Sequence, residues 1–374
     1  MGEHSRIDSH KMMFHPGWVS RWKEAVNDWE KAKLVYPLYV EISPAGGCNH
    51  RCTFCALDFV GYKPTLLPKS NLNETLMDMA TGGVRGIMYG GEGEPTLHPK
   101  LADIIKYTKS LGIDVALTTN GSCMNKRFLE NSLGSITWIK ASIDAGKKET
   151  YLEIHRPNNP HDWKRIFEYL EIAVALKRKY NYMCRIGAQL LLLPEAKAKD
   201  GRTIPGNIGE AVILAKLLKD IGVDYFVVKP YSHQPLSLTK SYRDIVNQEY
   251  LFLEKELRKI SSKSFEIVFR TNAMDKYTKT RDYDLCLATP FAWAYIMADG
   301  SVYSCSVYLL DERFYLGNIN EQSFKEIWEG ANRKRQWEFM KQYNPVNCRS
   351  NCRMDEVNRY LWEIIHPPYN VNFI

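Results

Sequence analysis

The sequence contains no apolar segment long enough to cross a bilayer. Its uninterrupted apolar runs, such as residues 190–193, fall far short of the roughly 20 residues that a membrane-spanning helix needs. The amino terminus is charged and has no apolar stretch of the kind that signal peptides carry. Internal repeats and low-complexity stretches are also missing. We therefore expect a cytoplasmic protein that does not contact a membrane.

Charge of one sign is not concentrated anywhere in the chain. Fifty Lys and Arg residues against 43 Asp and Glu give a formal net charge of +7, but the basic residues are spread along the sequence. No basic platform with interleaved aromatic residues is present, so we expect no nucleic-acid partner. With 45% hydrophobic residues the chain can bury a large core, which excludes a disordered protein. A length of 374 residues suggests two domains, or one large α/β domain with an appendage.

Nine cysteines are many for a reducing compartment, where disulfides rarely persist. Cys48, Cys52 and Cys55 form a C-x3-C-x2-C motif directly after a strand-like stretch, residues 36–43. Three thiolates on one tight loop can hold three irons of a [4Fe-4S] cluster and leave the fourth iron open to a small molecule. A zinc knuckle that includes His50, or chance spacing, is the alternative.

The C-x3-C-x2-C motif, with Phe54 directly before its last cysteine, resembles the signature of the radical S-adenosylmethionine (SAM) superfamily. In that family the methionine end of SAM chelates the open iron. Residues 86–99 resemble the family's second-strand glycine-glutamate-proline motif. The resemblance implies that this duplicated motif contacts the SAM amino group through Gly91, Glu92, Gly93 and Glu94. Glu94 is favoured as the acidic contact because Pro95 follows it.

Short β-branched runs alternate with longer helix-like segments from residue 36 to about 271. This alternation predicts an α/β fold with parallel strands joined by right-handed helical crossovers. The predicted strands are 36–43, 86–91, 114–119, 138–143, 184–193, 225–231 and 265–271. The predicted helices are 71–81, 100–111, 162–180, 208–220 and 241–262. The family resemblance implies that six such units form a partial (β/α)6 TIM-like barrel, in which ligands collect at the carboxyl ends of the strands.

Polar residues follow several of the predicted strands. By resemblance, those at the third and fourth strand ends contact the ribose or carboxylate of SAM, and an arginine after the next helix entry binds the carboxylate. A residue on the fifth strand is a weaker candidate for adenosine or substrate. These residues are Asn120, Ser142, Asp144, Arg156 and Gln189. Capping or surface roles are the alternative for each.

Four further cysteines lie in the last quarter of the chain, in the arrangement C-x18-C-x42-C-x3-C. They are Cys286, Cys305, Cys348 and Cys352. A hairpin with an Asp-Gly turn is predicted over 294–305, followed by a helix over about 322–343. Four thiolates suit a closed site, for which zinc is the alternative. The tail resembles the SPASM extension of many radical SAM enzymes, and its four cysteines imply the shortened twitch form with one auxiliary [4Fe-4S] cluster.

The chain is thus predicted to have three parts. Residues 1–35 form a helical segment, 36–272 the radical SAM barrel and 273–374 the auxiliary cluster domain. In the first part Trp18, Trp22, Val26 and Trp29 recur at helical spacing, which favours a face packed on the barrel. A leader-peptide recognition domain, which takes some 80 residues, does not fit in this segment.

The resemblance implies an enzyme that cleaves SAM reductively to a 5′-deoxyadenosyl radical, with flavodoxin or ferredoxin as electron donor. We expect a small polar substrate, a sugar, cyclitol or nucleotide-linked sugar, whose hydroxyl is oxidised with the auxiliary cluster as electron acceptor. Epimerisation of such a substrate, modification of a ribosomally made peptide and a non-catalytic iron-sulfur or zinc scaffold are the alternatives. Near the late strand ends the candidate substrate residues are Lys229, Tyr231, His233 and Arg185. Cys123 and Cys184 are free to donate hydrogen in an epimerase.

Overall fold

The computed structural model describes residues 6–198, 200–239, 242–245 and 247–373. Its strands are β1 (Tyr39–Ile42), β2 (Gly86–Tyr89), β3 (Asp114–Thr119), β4 (Trp138–Ser142), β5 (Arg185–Leu192), β6 (Ala196–Lys197), β7 (Thr203–Ile204), β8 (Tyr225–Pro230), β9 (Glu266–Phe269), β10 (Trp293–Ile296), β11 (Ser301–Tyr303) and β12 (Tyr315–Asn318). Ten of these strands form one sheet in the order β12-β11-β10-β1-β2-β3-β4-β5-β8-β9, and β6 pairs with β7 separately.

The helices lie between these strands or at the ends of the chain. They are α1 (Pro16–Ala25), α2 (Trp29–Ala32), α3 (Lys69–Gly82), α4 (Leu101–Ser110), α5 (Lys126–Ser132), α6 (Lys148–His155), α7 (Asp162–Tyr180), α8 (Ala211–Ile221), α9 (Asn247–Arg258), α10 (Thr271–Asp275), α11 (Phe324–Glu329), α12 (Ala331–Met340) and α13 (Asp355–Ile365). Among the described residues, none of the helices combines the length and the apolar character needed to cross a membrane.

The strands from β1 to β9 in the large sheet are all parallel, which confirms the predicted α/β barrel-like architecture. The predicted Asp-Gly hairpin is also present, as the antiparallel pair β10-β11. What the sequence did not predict is that β10 pairs in parallel with β1, with Tyr39 opposite Trp293. The carboxyl-terminal extension therefore continues the barrel sheet.

The two faces of the parallel strands have different partners. Val40 and Ile42 of β1, and Ile139 and Ala141 of β4, belong to the core that packs against the helices. Because successive residues of a strand point to opposite faces, the residues between them face the inside of the barrel. Residues that pair between neighbouring strands point to the same face of the sheet. The pairing of β4 with β5 and of β5 with β8 therefore places Lys140, Gln189 and Lys229 on the inner face.

The amino-terminal helices pack mainly in a different place from the one that the sequence predicted. Trp18 and Trp22 are buried in a second core that they share with Phe291, Trp293 and Leu361 of the carboxyl-terminal extension. Trp29 packs against Trp337 of α12 with tilted rings whose centroids are 5.6 Å apart. This face packs mainly on the extension, which presents its own aromatic residues to it, and it also reaches the barrel where Trp18 Nε1 donates to Tyr36 O at 2.8 Å.

Candidate active site

The first cysteine motif forms a loop that follows β1 at the carboxyl edge of the sheet. Backbone hydrogen bonds hold it from two sides: Thr53 N donates to Ile154 O at 2.8 Å, and Glu94 N donates to Gly47 O at 2.9 Å. Phe54 is buried and meets the ring of His155 edge-on at 5.1 Å. The loop is therefore fixed between α6 and the segment that follows β2.

The three thiols of this loop are unpaired and partly buried. Burial, and then the negative charge of Glu94, raise the pKa of Cys48 to about 12. Burial, and then repulsion from the thiolates of Cys55 and Cys48, raise the pKa of Cys52 well above its ordinary value. Three thiols that repel one another as anions need a cationic centre to become thiolates together. The donor set thus fits a cluster held by three cysteines.

Two histidines surround Cys52. The Nδ1 atom of His155 lies 3.4 Å from Cys52 Sγ, and ligand atoms of His50, Cys52 and His155 are all within 4.8 Å of one another. However, His155 Nε2 also meets Ile143 O at 2.9 Å, and His50 Nε2 lies 3.2 Å from Asp162 Oδ2. Burial lowers the pKa of His50 to about 3, so this imidazole is neutral. These contacts orient both rings around Cys52.

The duplicated Gly-Glu motif after β2 sends its two glutamates in different directions. Glu94 is buried and accepts hydrogen bonds from Thr96 N at 3.0 Å and from Thr119 Oγ1 at 2.5 Å on one oxygen, and from Asn120 N at 2.7 Å on the other. It therefore ties the β2 loop to the end of β3. Burial is the main influence on this carboxyl and raises its pKa.

Glu92 instead faces the carboxyl-terminal extension. Its carboxylate accepts from Tyr295 Oη at 3.0 Å and from Ala298 N at 2.8 Å. Both glutamates thus have protein partners, and the structure gives each a role in holding loops together. Their contact with SAM stays a prediction.

The glycines of this motif let the β2 loop and the cysteine loop touch. A Cβ atom on Gly93 would lie 2.2 Å from Ala45 O and 2.4 Å from Gly47 O. Gly91 has φ +126° and approaches Ser43 in the same way. Backbone therefore packs on backbone where the resemblance implies SAM, and a side chain at either position would separate the two loops.

The other predicted SAM contacts also lie at this edge. Asn120 Nδ2 donates to Asn49 Oδ1 of the cysteine loop at 2.8 Å. Ser142 Oγ donates to Asp144 Oδ2 at 2.7 Å. Arg156 is exposed with φ +46° at the end of α6, and its carbonyl accepts from Arg51 N at 3.2 Å. Gln189 is 6% exposed, and its Oε1 has no hydrogen-bond donor among the described residues. The geometry brings these residues together, and their individual roles remain predictions.

The second group of cysteines converges within the carboxyl-terminal extension. Cys305 is buried, and Cys286, Cys348 and Cys352 are partly buried. Burial, followed by repulsion from the other three thiolates, raises the pKa of Cys305 well above its ordinary value. Cys286 Sγ lies 3.0 Å from Thr289 Oγ1. Four thiols at one point, from segments far apart in sequence, fit a closed four-cysteine cluster site.

A cleft of about 380 Å³ opens between the end of β8 and the Cys348 loop. Tyr231, His233 and Asp244 line one side of it, and Cys348 and Arg349 line the other. His233 Nε2 lies 2.7 Å from Asp244 Oδ1. The cleft thus places two of the predicted substrate residues next to the auxiliary cluster site. Sequence reasoning missed Asp244 and Arg349, since no local motif marks them.

One predicted substrate residue, Arg185, and one predicted hydrogen donor, Cys184, lie at the end of the barrel opposite the cysteine loop. Arg185 begins β5, donates its backbone N–H to Thr137 O just before β4, and pairs with Glu266 at the start of β9 at 2.8 Å. Cys184 precedes it and is buried. The amino ends of parallel strands lie opposite the edge that carries the cysteine loop, so both predicted placements near the site are corrected. Cys123, by contrast, follows β3 at the correct edge, 3.7 Å from Ser122 Oγ.

These observations define a parallel α/β barrel whose carboxyl edge carries a three-cysteine loop, with a four-cysteine site in the extension beside it. Family comparison agrees: the radical SAM superfamily matches residues 42–188, and the SPASM iron-sulfur cluster-binding domain matches residues 286–353. The chain belongs to the radical SAM superfamily and carries a SPASM domain. Its cofactors are SAM and two iron-sulfur clusters, which the two thiol groups described above fit.

Similar proteins fall in several functional classes. A SAM-dependent nucleotide dehydratase from Flammeovirga pacifica is 34% identical over 144 residues, which are 37% of this chain and 49% of the relative. The match therefore spans about half of that relative's length. An AdoMet-dependent heme synthase from Methanosarcina barkeri is 23% identical over 332 residues, 84% of this chain and 86% of the relative.

Among solved structures, Streptococcus suis SuiB bound to its precursor peptide SuiA superposes with a TM-score of 0.60 at 17% identity. The alignment covers 82% of this chain and 68% of that one. A likeness at this level of identity shows a shared fold.

Proposed function

We propose that this radical SAM enzyme dehydrogenates the hydroxyl-bearing carbon of a small polar substrate, such as a sugar, a cyclitol or a nucleotide-linked sugar. The observation that carries the proposal is the cleft in which the His233–Asp244 pair and Tyr231 face the Cys348 loop. A base and an electron acceptor beside the same substrate carbon are the two requirements for oxidising a carbinol radical.

Cys48, Cys52 and Cys55 would hold the cluster on which SAM binds, and these cofactors would supply a 5′-deoxyadenosyl radical for hydrogen abstraction. The four cysteines of the extension would hold an auxiliary cluster that could accept one electron. Flavodoxin or ferredoxin would provide the electron that starts each turnover. The substrate loses two hydrogens in total, one as an atom and one as a proton, and becomes a carbonyl compound.

His233 is our candidate for the base that takes the hydroxyl proton. Its Nε2 atom lies 2.7 Å from Asp244 Oδ1, so the tautomer with hydrogen on Nε2 donates to that carboxylate. The other ring nitrogen, Nδ1, is then a proton acceptor, and Asp244 stabilises the imidazolium that forms. Tyr231 stands next to His233, with ring centroids 5.0 Å apart, and completes this wall of the cleft.

Epimerisation is the closest competing function because it would need a thiol hydrogen donor near the substrate. Cys184 at the amino end of β5 does not meet that requirement. Cys123 lies at the correct edge, 3.7 Å from Ser122 Oγ, and burial raises the pKa of its thiol, which keeps the S–H bond that a hydrogen-atom donor needs. The position of Cys184 therefore excludes it as the donor, and Cys123 is the residue with which epimerisation is tested.

The relative named as a nucleotide dehydratase supports a substrate that carries a nucleotide. Dehydration and dehydrogenation give products of different mass, since one removes water and the other removes two hydrogens. The same substrate panel thus separates the two reactions.

The test uses anaerobically reconstituted, reduced enzyme with SAM and a panel of nucleotide-linked sugars, cyclitols and sugar phosphates. We expect one class to raise 5′-deoxyadenosine formation above the rate without substrate and to give a product two hydrogens lighter. His233→Gln should abolish the product while the clusters remain, whereas His366→Gln on the exposed end of α13 should have no effect. A product of unchanged composition that carries one solvent deuterium, and is lost in Cys123→Ser, would refute the dehydrogenase assignment.

A further inference from the structure

The inside of the barrel contains two lysines that have no charged partner within the part of the chain that the structure describes. Lys140 of β4 and Lys229 of β8 both face inward and keep some solvent-accessible surface, so they line an internal space. Among the described residues, neither ammonium has an ion pair or a hydrogen-bond acceptor, and Lys140 Nζ lies 5.7 Å from the centroid of the Trp138 ring. Unpaired lysines inside a protein are costly, so their presence calls for an explanation.

The charged groups around the two lysines do not neutralise them. Arg270, at the end of β9, pairs with Asp8 at 3.0 Å. Glu41 of β1 pairs with Arg353. The carboxylates of Asp8 and Glu41 are therefore each paired with an arginine and do not neutralise the two lysines.

Asp144 is engaged by other groups. It accepts from Ser142 Oγ at 2.7 Å and from Leu191 N at 2.6 Å, and it lies 3.4 Å from His155 Nε2. Arg349 adds another positive charge from the Cys348 loop, and its Nε is buried without a partner among the described residues. The charged groups around Lys140 and Lys229 therefore carry more positive than negative charge.

The electrostatic effect on the lysines agrees with this count. Burial, and then the charge of Arg270, lower the pKa of Lys140 to about 8. Burial, followed by repulsion from Lys140, Arg270 and Arg349, lowers the pKa of Lys229 well below its ordinary value. These three cations come from three different elements, and an anion between them and Lys229 would relieve the repulsion.

One further buried group lacks a partner on the same face. Gln189 of β5 lies between β4 and β8, in register with Ser142 and Val227. Its Oε1 is an acceptor without a donor among the described residues, and the side chain is 6% exposed. A buried acceptor beside unpaired cations is what a ligand with an anionic group and a hydroxyl would satisfy.

We propose that the barrel interior binds an anionic group of the substrate, a phosphate or a carboxylate, between Lys140, Lys229 and Arg349, with Gln189 accepting from a neighbouring hydroxyl. The inference rests on the proposed function, because it narrows the small polar substrate to an anionic one. Arg349 also lines the cleft of His233, so a ligand anchored at the lysines can extend toward that cleft.

The test measures binding by titration calorimetry on the cluster-loaded enzyme saturated with SAM, and therefore does not depend on turnover. Pyrophosphate and citrate are the two probes, which separate a phosphate source from a carboxylate source. We expect one of them to bind, and Lys140→Met and Lys229→Met each to weaken that binding about tenfold or more. Lys164→Met on the exposed face of α7 is the matched control and should bind as the wild type does.

A second measurement, of thermal stability, distinguishes a variant that has lost the binding site from one that is misfolded. Because the lysines lack an anionic partner in the ligand-free enzyme, Lys140→Met should raise its melting temperature. The probe should raise the melting temperature of the wild type and should not raise that of Lys140→Met. Absence of binding by both probes, equal binding by all variants, or competition between probe and SAM would each overturn the proposal. Competition would identify the lysines as ligands of the SAM carboxylate. Anion binding without formation of a dehydrogenated product would leave this inference intact and refute only the proposed reaction.

Discussion

Replacing Glu94 with glutamine should destabilise the protein far more than the same change at Glu92. The reason is the kind of donor that each carboxylate oxygen faces. Glu94 meets a backbone N–H on both oxygens, Thr96 N at 3.0 Å and Asn120 N at 2.7 Å. Whichever way the new amide turns, its NH2 group must face a backbone N–H, which can only donate.

The magnitude follows from the buried hydrogen bonds that are lost. One charge-assisted bond disappears and one buried N–H is left unpaired, which together cost about 3 kcal/mol. At Glu92 one oxygen faces Ala298 N, but the other faces Tyr295 Oη, and a hydroxyl can rotate to accept from the amide. We expect Glu92→Gln to cost less than about 1 kcal/mol.

The assay is anaerobic urea unfolding followed by tryptophan fluorescence, with a SAM-binding titration on the same samples. Glu94 ties the β2 loop to Asn120, which in turn bonds to Asn49 of the cysteine loop, so Glu94→Gln should also weaken SAM binding more than Glu92→Gln. Equal losses of stability, or a larger loss in Glu92→Gln, would show that the hydrogen bonds of the two glutamates have been assigned wrongly.

Three further outcomes are expected. Anaerobically reconstituted protein should hold about eight irons per chain, and changing Cys48, Cys52 and Cys55 to Ala should leave about four; zinc together with only four irons in the unchanged protein would contradict the auxiliary cluster. Lys140→Met should raise the free energy of unfolding by about 3 kcal/mol at pH 7, because a pKa lowered from 10.5 to about 8 penalises the charged folded state. Below pH 8 the charged Lys140 destabilises the folded wild type by this full amount, and the cost falls as pH rises from 8 to 10.5 because the folded protein then holds the lysine neutral. Denaturation curves in which the stability difference between variant and wild type stays constant up to pH 10.5 would refute this prediction. Gly93→Ala should lower stability by about 2 kcal/mol and reduce SAM affinity, since its Cβ meets two carbonyl oxygens, whereas Gly209→Ala has open space around it and should change neither in the same unfolding and binding assays.

Local patterns were sufficient for much of the fold and for both cysteine groups. Cys48, Cys52 and Cys55 lie within eight residues, so their spacing alone places three thiols on one loop. The alternation of strands and helices predicts parallel pairing because a helix between two strands returns the chain to the edge of the sheet from which the next parallel strand starts. The Asp299-Gly300 hairpin is visible because its turn chemistry is local, with Gly300 at φ +86°.

The error over Arg185 and Cys184 has a simple physical origin. Both lie at the start of a predicted strand, and in a parallel sheet the starts and the ends of strands form opposite edges. Nearness to a strand therefore does not bring a residue to the site, because only residues at the carboxyl end of a strand lie at the edge that carries the cysteine loop.

The sequence by itself determined the family, the cofactors and the loop that holds the first cluster, since each depends on residues close together in the chain. Only the tertiary structure decided how the duplicated glutamates divide their roles, because Glu92 meets Tyr295 and Glu94 meets Asn120 from opposite directions. It also decided that β10 joins the barrel beside β1, and that Lys140 and Lys229 share the inner face of the barrel. These residues come from separate strands and loops, and the charge that they share exists only after the chain has folded, because no local pattern records which distant side chains will become neighbours.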